Sequence, residues 1–167
     1  MTKGKVFRRR DEQDKSPYHY TECGLDDIYL RSGYEIHSTP EGDFVSVKDA
    51  DELLKAIGIH LVTAKKELTG RELRFLRKHM DETQAELADL LRVSDQTVAR
   101  WEKGEGEGAG IPGPADFLIR MLFLEHIGEQ QGVRELLRDL KERDEDPSGK
   151  QFFRPTKGGW KPMAACG

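Results

Sequence analysis

The sequence predicts an α+β protein in which a small N-terminal antiparallel β-sheet with a covering helix precedes an all-α domain of about five helices. Residues 17–47 are rich in β-branched and aromatic side chains and are interrupted by turn-forming Gly and Pro. Residues 70–143 instead repeat apolar side chains at helical spacing. Strand patterns that are followed by helix patterns favour a segregated α+β architecture.

The pattern along the chain divides it into four segments. The helix that covers the sheet is predicted over residues 49–61, with Asp49 as its N-cap. For the C-terminal tail, a flexible tail, a hairpin docked on the N-terminal sheet and a contact for DNA or a partner all stay open. The predicted segments are a disordered tail over 1–16, a sheet-plus-helix domain over 17–64, a helix-turn-helix domain over 65–143 and a basic aromatic tail over 144–167.

The composition of the 167-residue chain limits the possible functions. The net charge of -4 argues against general coating of nucleic acid. It still allows a local DNA-binding face, because the distribution of charge matters more than its sum. The run Arg8–Arg10 in the tail also fits a basic arm that reaches a DNA groove. Cys23 and Cys166 do not suggest a disulfide framework, and no leader or membrane-spanning run is visible, so we expect a cytoplasmic protein.

Residues 68–105 predict three short helices with two tight joints. Thr69, Thr83 and Ser94 stand at N-cap positions, and Glu86 follows Thr83 at capping-box spacing. A joint as short as residues 91–94 makes two helices cross steeply, which is the geometry of a helix-turn-helix. The side chains expected to face the core are Leu73, Leu76 and Met80 in the first helix, Leu87, Leu90 and Leu91 in the second, and Val98 and Trp101 in the third.

The third helix leaves a polar face uncommitted near its N-terminus, formed by Asp95, Gln96, Thr97 and Arg100. A recognition helix enters the major groove by its first turns. Gln can pair with adenine, Arg with guanine, and the Thr methyl can contact thymine. Three helices can also form a purely structural bundle, but the uncommitted face favours DNA binding. Residues 70–104 carry as many acidic as basic side chains, so affinity is expected to depend on geometry and on dimerisation.

Residues 83–105 resemble the Cro/repressor-type helix-turn-helix, often called the Xre family. The matching features are Thr83-Gln84, Ala85, Leu87-Ala88, Val93-Ser94, Thr97-Val98, Trp101-Glu102 and Gly104. The resemblance implies phosphate contacts for Gln84 and Ser94, a backbone contact for Lys103 and a structural role for Trp101. It places Gln96, Thr97 and Arg100 against the bases, with Asp95 close by.

Arg92 departs from this family pattern, which usually has Gly at the joint between the second and third helices. If the family geometry is kept, Arg92 adopts a positive φ that a side chain makes unfavourable. Such strain persists where something offsets it or where the site is functional. We therefore expect the cationic side chain of Arg92 to contact a DNA phosphate.

The helix predicted over residues 114–127 is apolar nearly all round. One face can pack on the helix-turn-helix, and the rest needs another cover. Burial within the monomer is possible, but a dimer interface is favoured because a chain this short and polar has little core to wrap the helix. The predicted interface residues are Phe117, Leu118, Met121, Leu122 and Leu124.

Two function classes follow. The first is a transcriptional repressor that binds an inverted-repeat operator in double-stranded DNA as a homodimer. The second is an antitoxin that neutralises a toxin partner through its N-terminal domain and autoregulates its operon, because the domain order resembles antitoxins of the MqsA or YgiT type. Those carry two zinc-binding Cys-x-x-Cys pairs, whereas this region has only Cys23, and His19 and His37 leave a fourth ligand missing. We therefore predict no metal or other cofactor, and the lack of catalytic motifs predicts no enzyme activity.

Overall fold

The computed structural model describes residues 7–8, 16–106, 108–142 and 149–164, and its α+β layout confirms the predicted fold class. Most of the predicted N-terminal tail, residues 1–6 and 9–15, lies outside the described residues. The elements in chain order are β1 Phe7–Arg8, β2 Tyr18–His19, β3 Ile28–Leu30, β4 Tyr34–Thr39, β5 Gly42–Val47, α1 Ala50–Ala64, α2 Gly70–His79, α3 Gln84–Leu91, α4 Asp95–Lys103, α5 Gly113–His126, α6 Val133–Glu142, β6 Gln151–Thr156 and β7 Gly159–Met163.

The strands form two sheets. β4 and β5 make a hairpin that turns between Thr39 and Gly42, and β1 pairs with the other edge of β4. The second sheet has the order β2-β3-β6-β7, and its central pair, β3 and β6, is parallel. The C-terminal segment is therefore a hairpin docked on β3, one of the three alternatives that the sequence left open. A parallel pair needs a long crossover connection, which here contains all six helices.

Helix α1 covers the inner face of this sheet with Leu53, Ile57 and Leu61, all fully buried. Asp49 is the N-cap residue of α1, as predicted, but it has φ 48° and its side chain makes no capping hydrogen bond. Gly58 lets α5 approach closely, because a Cβ there would lie 2.2 Å from Cζ of Phe123. The helix therefore joins the sheet to the helical region through one continuous core.

A buried guanidinium fixes this junction. The Arg120 side chain on α5 is fully buried, and its Nε donates to Asp116 Oδ1 over 2.5 Å. The other oxygen of Asp116 accepts the backbone N–H of Leu68, just before α2. The remaining Arg120 donors reach four carbonyl oxygens at and after the end of α1, those of Leu61, Val62, Lys65 and Lys66. The Arg120 side chain thus donates hydrogen bonds to carbonyl groups at the C-terminal end of α1, and through Asp116 it anchors the connection into the helix-turn-helix.

Helix α5 is covered by its own chain more fully than the sequence suggested. Ile119 and Phe123 are fully buried, and Leu124 is only 3% exposed. Leu124, predicted at the dimer interface, therefore lies in the core of the monomer. Leu118 is 40% exposed, while Phe117, Met121 and Leu122 are partly buried.

Candidate DNA-binding surface

The three helices of the helix-turn-helix begin at the predicted caps. Thr69 Oγ1 accepts the N–H of Glu72, whose carboxylate accepts the N–H of Thr69 in return, forming a capping box. Thr83 and Glu86 repeat this arrangement at 3.1 and 2.7 Å. Hydrogen bonds donated to the Glu86 carboxylate by the backbone N–H and the side chain of Thr83 lower the pKa of this carboxyl.

Helix α4 begins at Ser94, whose Oγ accepts the N–H of Thr97 over 3.1 Å. All three caps expected in the helix-turn-helix are therefore confirmed. Local side-chain acceptors of this kind fix where a helix begins, and so which residues occupy its first turn. In α4 the first turn starts at Asp95.

The joint between α3 and α4 has the predicted left-handed conformation. Arg92 has φ 56° and ψ 44°, and the N–H of Val93 donates to Ala88 O over 3.0 Å. This is the Schellman end of a helix, in which glycine usually stands. A residue with a Cβ in that conformation costs on the order of 1 kcal/mol. The Arg92 side chain is exposed beside the start of α4.

Helix α4 has one buried and one exposed side. Val98 and Trp101 are buried in the core, as predicted. Gln96 and Arg100 are exposed, and no hydrogen bond or ion pair engages either side chain among the described residues. Thr97 is half-buried, and its hydroxyl pairs with that of Ser94 at 2.8 Å. Asp95 Oδ1 accepts the N–H of Gln96.

A buried ion pair locks the end of α4 to α2. Arg77 Nε and Nη2 contact the two carboxylate oxygens of Glu102 at 2.5 and 3.1 Å, and both side chains are largely buried. Gln84 Nε2 also donates to Glu102, over 2.9 Å. A bidentate pair with a further donor holds the three helices at fixed angles. Gln84 therefore has a partner within the fold, and its phosphate contact stays a prediction.

Sequence reasoning did not find this network or the close contact beside it. Arg77 and Glu102 are 25 residues apart, so no helical spacing connects them. Gly70, just after the cap of α2, lets α2 and α4 approach closely, because a Cβ at this position would lie 2.2 Å from the carbonyl oxygen of Trp101. In the sequence, the only local indication of this close contact is Gly70 itself, a residue that is unusual at the start of a helix. Leu90, which was predicted to face the core, is 49% exposed.

Burial changes the charge that this surface presents. In the sequence, acids and bases of residues 70–104 balance, but Arg77, Glu72 and Glu102 are withdrawn from solvent. Glu72, 3% exposed, pairs with Lys65 at 2.9 Å. Within residues 70–104, one base and two acids are thereby removed, which leaves this segment slightly basic because the partner of Glu72, Lys65, lies outside it. The exposed cations nearest the start and end of α4 are Arg92, Arg100 and Lys103.

The three candidate metal ligands are not brought together. His19 lies in β2, where it stacks on Tyr29, whereas His37 lies in β4 of the other sheet and stacks on Phe44. Cys23 is a free, half-buried thiol, and burial raises its pKa. Across the described part of the chain, no three His, Cys, Asp or Glu side chains are placed to hold a metal ion.

Comparison with known proteins agrees with this geometry. The helix-turn-helix family model matches residues 73–107. This segment is therefore similar to the helix-turn-helix family. The chain is also 41% identical, over 46 residues, to the HTH-type transcriptional regulator DicA of Escherichia coli (strain K12). That match covers 27% of this chain and 34% of DicA, so the chain spans about a third of the length of this relative.

No solved structure shows significant similarity to the chain. None of the helices that the structure describes is long and apolar enough to cross a membrane. The similarity to known proteins therefore rests on the helix-turn-helix, and the layout resemblance to two-domain antitoxins stays a prediction.

Proposed function

We propose that this protein binds double-stranded DNA sequence-specifically through α4 and represses transcription as a homodimer. The observation that carries the proposal is the exposed edge of α4, where Gln96 and Arg100 are uncommitted on a frame fixed by three caps and a buried ion pair. A recognition helix needs such a polar edge at its N-terminal turns. The similarity to DicA, a transcriptional regulator by name, supports the proposal.

The side chains around α4 suggest two kinds of contact with DNA. Gln96, Thr97 and Arg100 would contact base edges, with Asp95 beside them. Arg92, Ser94, Gln84 and Lys103 would contact the phosphate backbone, which positions the helix without reading sequence. In this arrangement the Arg92 guanidinium offsets the conformational cost of its left-handed backbone with a phosphate contact.

The proposed dimer uses the part of α5 that the monomer leaves uncovered. Leu118 is exposed, and Phe117, Met121 and Leu122 are partly so. Leu90 is also exposed on α3, which packs beside α5. A second copy on this apolar face would place two α4 helices against one duplex. Two half-sites would also compensate for the modest positive charge of a single helix-turn-helix.

Selection from a randomised pool of double-stranded DNA tests the proposal. We expect enrichment of an inverted repeat whose half-site centres lie about 10 base pairs apart, and a dimer by light scattering at micromolar concentration. Failure to enrich any motif would contradict sequence-specific binding. Tight binding by a monomer would contradict the dimer. The antitoxin hypothesis stays a prediction, and co-expression with the product of a neighbouring ribonuclease-like gene tests it.

A further inference from the structure

The sheet formed by β2, β3, β6 and β7 has an outer face that the core does not use. Its strand register places four side chains in one row across all four strands, those of His19, Tyr29, Phe152 and Met163. The alternate residues, such as Leu30 and Phe153, point inward and are fully buried. His19 is exposed, and the other three members of the row are partly buried.

The rings of this row form a stacked column. The centroids of His19 and Tyr29 are 4.6 Å apart with nearly parallel planes, and those of Tyr29 and Phe152 are 5.4 Å apart. At this spacing, neighbouring rings are in favourable stacking contact. The column ends at His19 on the edge strand β2, so an incoming planar group can extend it there.

Cations surround the column. The Arg31 guanidinium lies 4.9 Å from the Phe152 ring centroid, and Lys150 Nζ lies 5.5 Å from that of Tyr29. Arg154 and Lys161 pair directly across β6 and β7 in the next row of the same face, and both are exposed. None of the four strands contains an Asp or Glu. These strands therefore carry cations and no carboxylates, in a chain of net charge -4, and Asp26, whose carbonyl oxygen contacts the His19 ring at the edge, pairs its carboxylate with Arg71.

One donor on this face lacks an acceptor among the residues that the structure describes. Arg31 Nε is buried, and no described atom forms a hydrogen bond with it. Buried polar atoms in folded proteins nearly always have a partner, so a ligand or an ordered water would supply the acceptor for this donor. On a basic face, the acceptor that fits best is an anionic oxygen.

We propose that this outer face binds a single-stranded nucleic acid. Arg31, Arg154 and Lys161 would contact successive phosphates, while a base stacks on the free face of His19. Aromatic side chains within a basic surface are the usual means of binding single strands. Bases in the interior of a duplex are already stacked on both faces and cannot extend the column. A basic protein partner would be repelled by the same cations.

The test uses the full-length protein and fluorescence anisotropy with labelled oligothymidylate and oligouridylate of about 12 nucleotides. We expect binding that weakens with salt. Arg154→Ala and Lys161→Ala should each weaken it severalfold and lower the salt slope by about 0.7. His19→Ala should weaken binding about fivefold or more with an unchanged salt slope, and His19→Phe should retain it. An abasic strand of equal length should bind the wild-type protein more weakly, by the same factor as the His19→Ala substitution weakens binding of the normal strand.

Controls separate this surface from α4. Lys141→Ala, which removes an exposed cation on α6, should leave single-strand binding unchanged, as should Arg100→Ala. The variants of the outer face should leave binding to a selected duplex unchanged, so this proposal and the proposed function can fail separately. Absence of single-strand binding, or binding that the face variants do not alter, would overturn it. Equally tight binding of oligoglutamate at the same residues would overturn it too, because it would indicate a surface for acidic proteins.

Discussion

The helix-turn-helix and the four-stranded sheet are held in place by interactions of very different range. Each of the three helices from Thr69 onward begins at a cap whose partner is three residues away. In the sheet, by contrast, β3 is completed by β6, more than a hundred residues later in the chain. The difference shows that local hydrogen bonds define where each of these helices begins, while remote contacts hold the helices and the sheet together. Substitutions in the two regions should therefore differ in cost.

The largest effect is expected at the remote junction. Arg120→Met should lower the free energy of unfolding by about 3–5 kcal/mol, because it leaves Asp116 buried without its counter-ion. It also leaves the carbonyls at the end of α1 without their donor. Urea unfolding of the full chain measures this. Arg138→Met, at an exposed position of α6, is the matched control and should change stability by less than about 0.5 kcal/mol. A similar small change at Arg120 would contradict the assigned role.

A local cap should matter less. Thr83→Ala should cost about 1 kcal/mol, since the N–H of Glu86 loses its acceptor at the start of α3. Thr83→Ser keeps the hydroxyl and should retain most of the stability. Thermal unfolding of both variants compares them. Equal losses in the two would indicate that packing of the Thr methyl, and not the cap, is what matters.

The contact of the helix-turn-helix with α5 should also respond to pH, because His79 of α2 lies against Phe123 and His126. Burial lowers the pKa of His79, and His126 nearby lowers it further. The unfolded state then binds the proton more tightly, so His79 should favour folding fully above its ordinary pKa of about 6.5 and progressively less as the pH falls. Melting temperatures measured at neutral and mildly acidic pH should fall more in the wild type than in His79→Phe. An equal fall in both proteins would assign the acid sensitivity to other groups.

The smallest effect on stability is expected at Arg92. Arg92→Gly should leave the fold as stable or slightly more stable, because glycine adopts the observed φ of 56° freely. It should weaken DNA binding about equally for all sequences and reduce the salt slope by about one. Arg92→Ala keeps the backbone cost but also removes the charge, so it should match the glycine variant in binding alone. A clear loss of stability in Arg92→Gly would show that the side chain is structural.

The same contrast explains how far the sequence could predict the structure. The caps at Thr69, Thr83 and Ser94 and the left-handed Arg92 were predictable, because each depends on neighbours within a few residues. Asp49 occupies the predicted N-cap of α1, but its left-handed backbone and the missing side-chain hydrogen bond were not evident from the residue types alone.

Contacts between residues far apart in the chain could not be predicted from the sequence. Nothing local indicates that Glu102 meets Arg77, or that Arg120 reaches back to the end of α1. The row that joins Tyr29 to Phe152 likewise appears only once the parallel register is known. The uncommitted edge of α4 was predictable, whereas the partner that Gln84 finds in Glu102 was not.

Reading of bases by α4 is the central claim, and Arg100→Ala on a selected operator tests it most directly. The Arg100 side chain is exposed and outside every described ion pair, so the fold should be unchanged. Specific affinity should fall by about 1–3 kcal/mol, roughly 5- to 150-fold, and discrimination should relax at one base pair per half-site. Arg74→Ala, an exposed cation on α2, is the comparison and should not alter discrimination. Unchanged affinity and unchanged discrimination in a folded Arg100→Ala protein would contradict the claim.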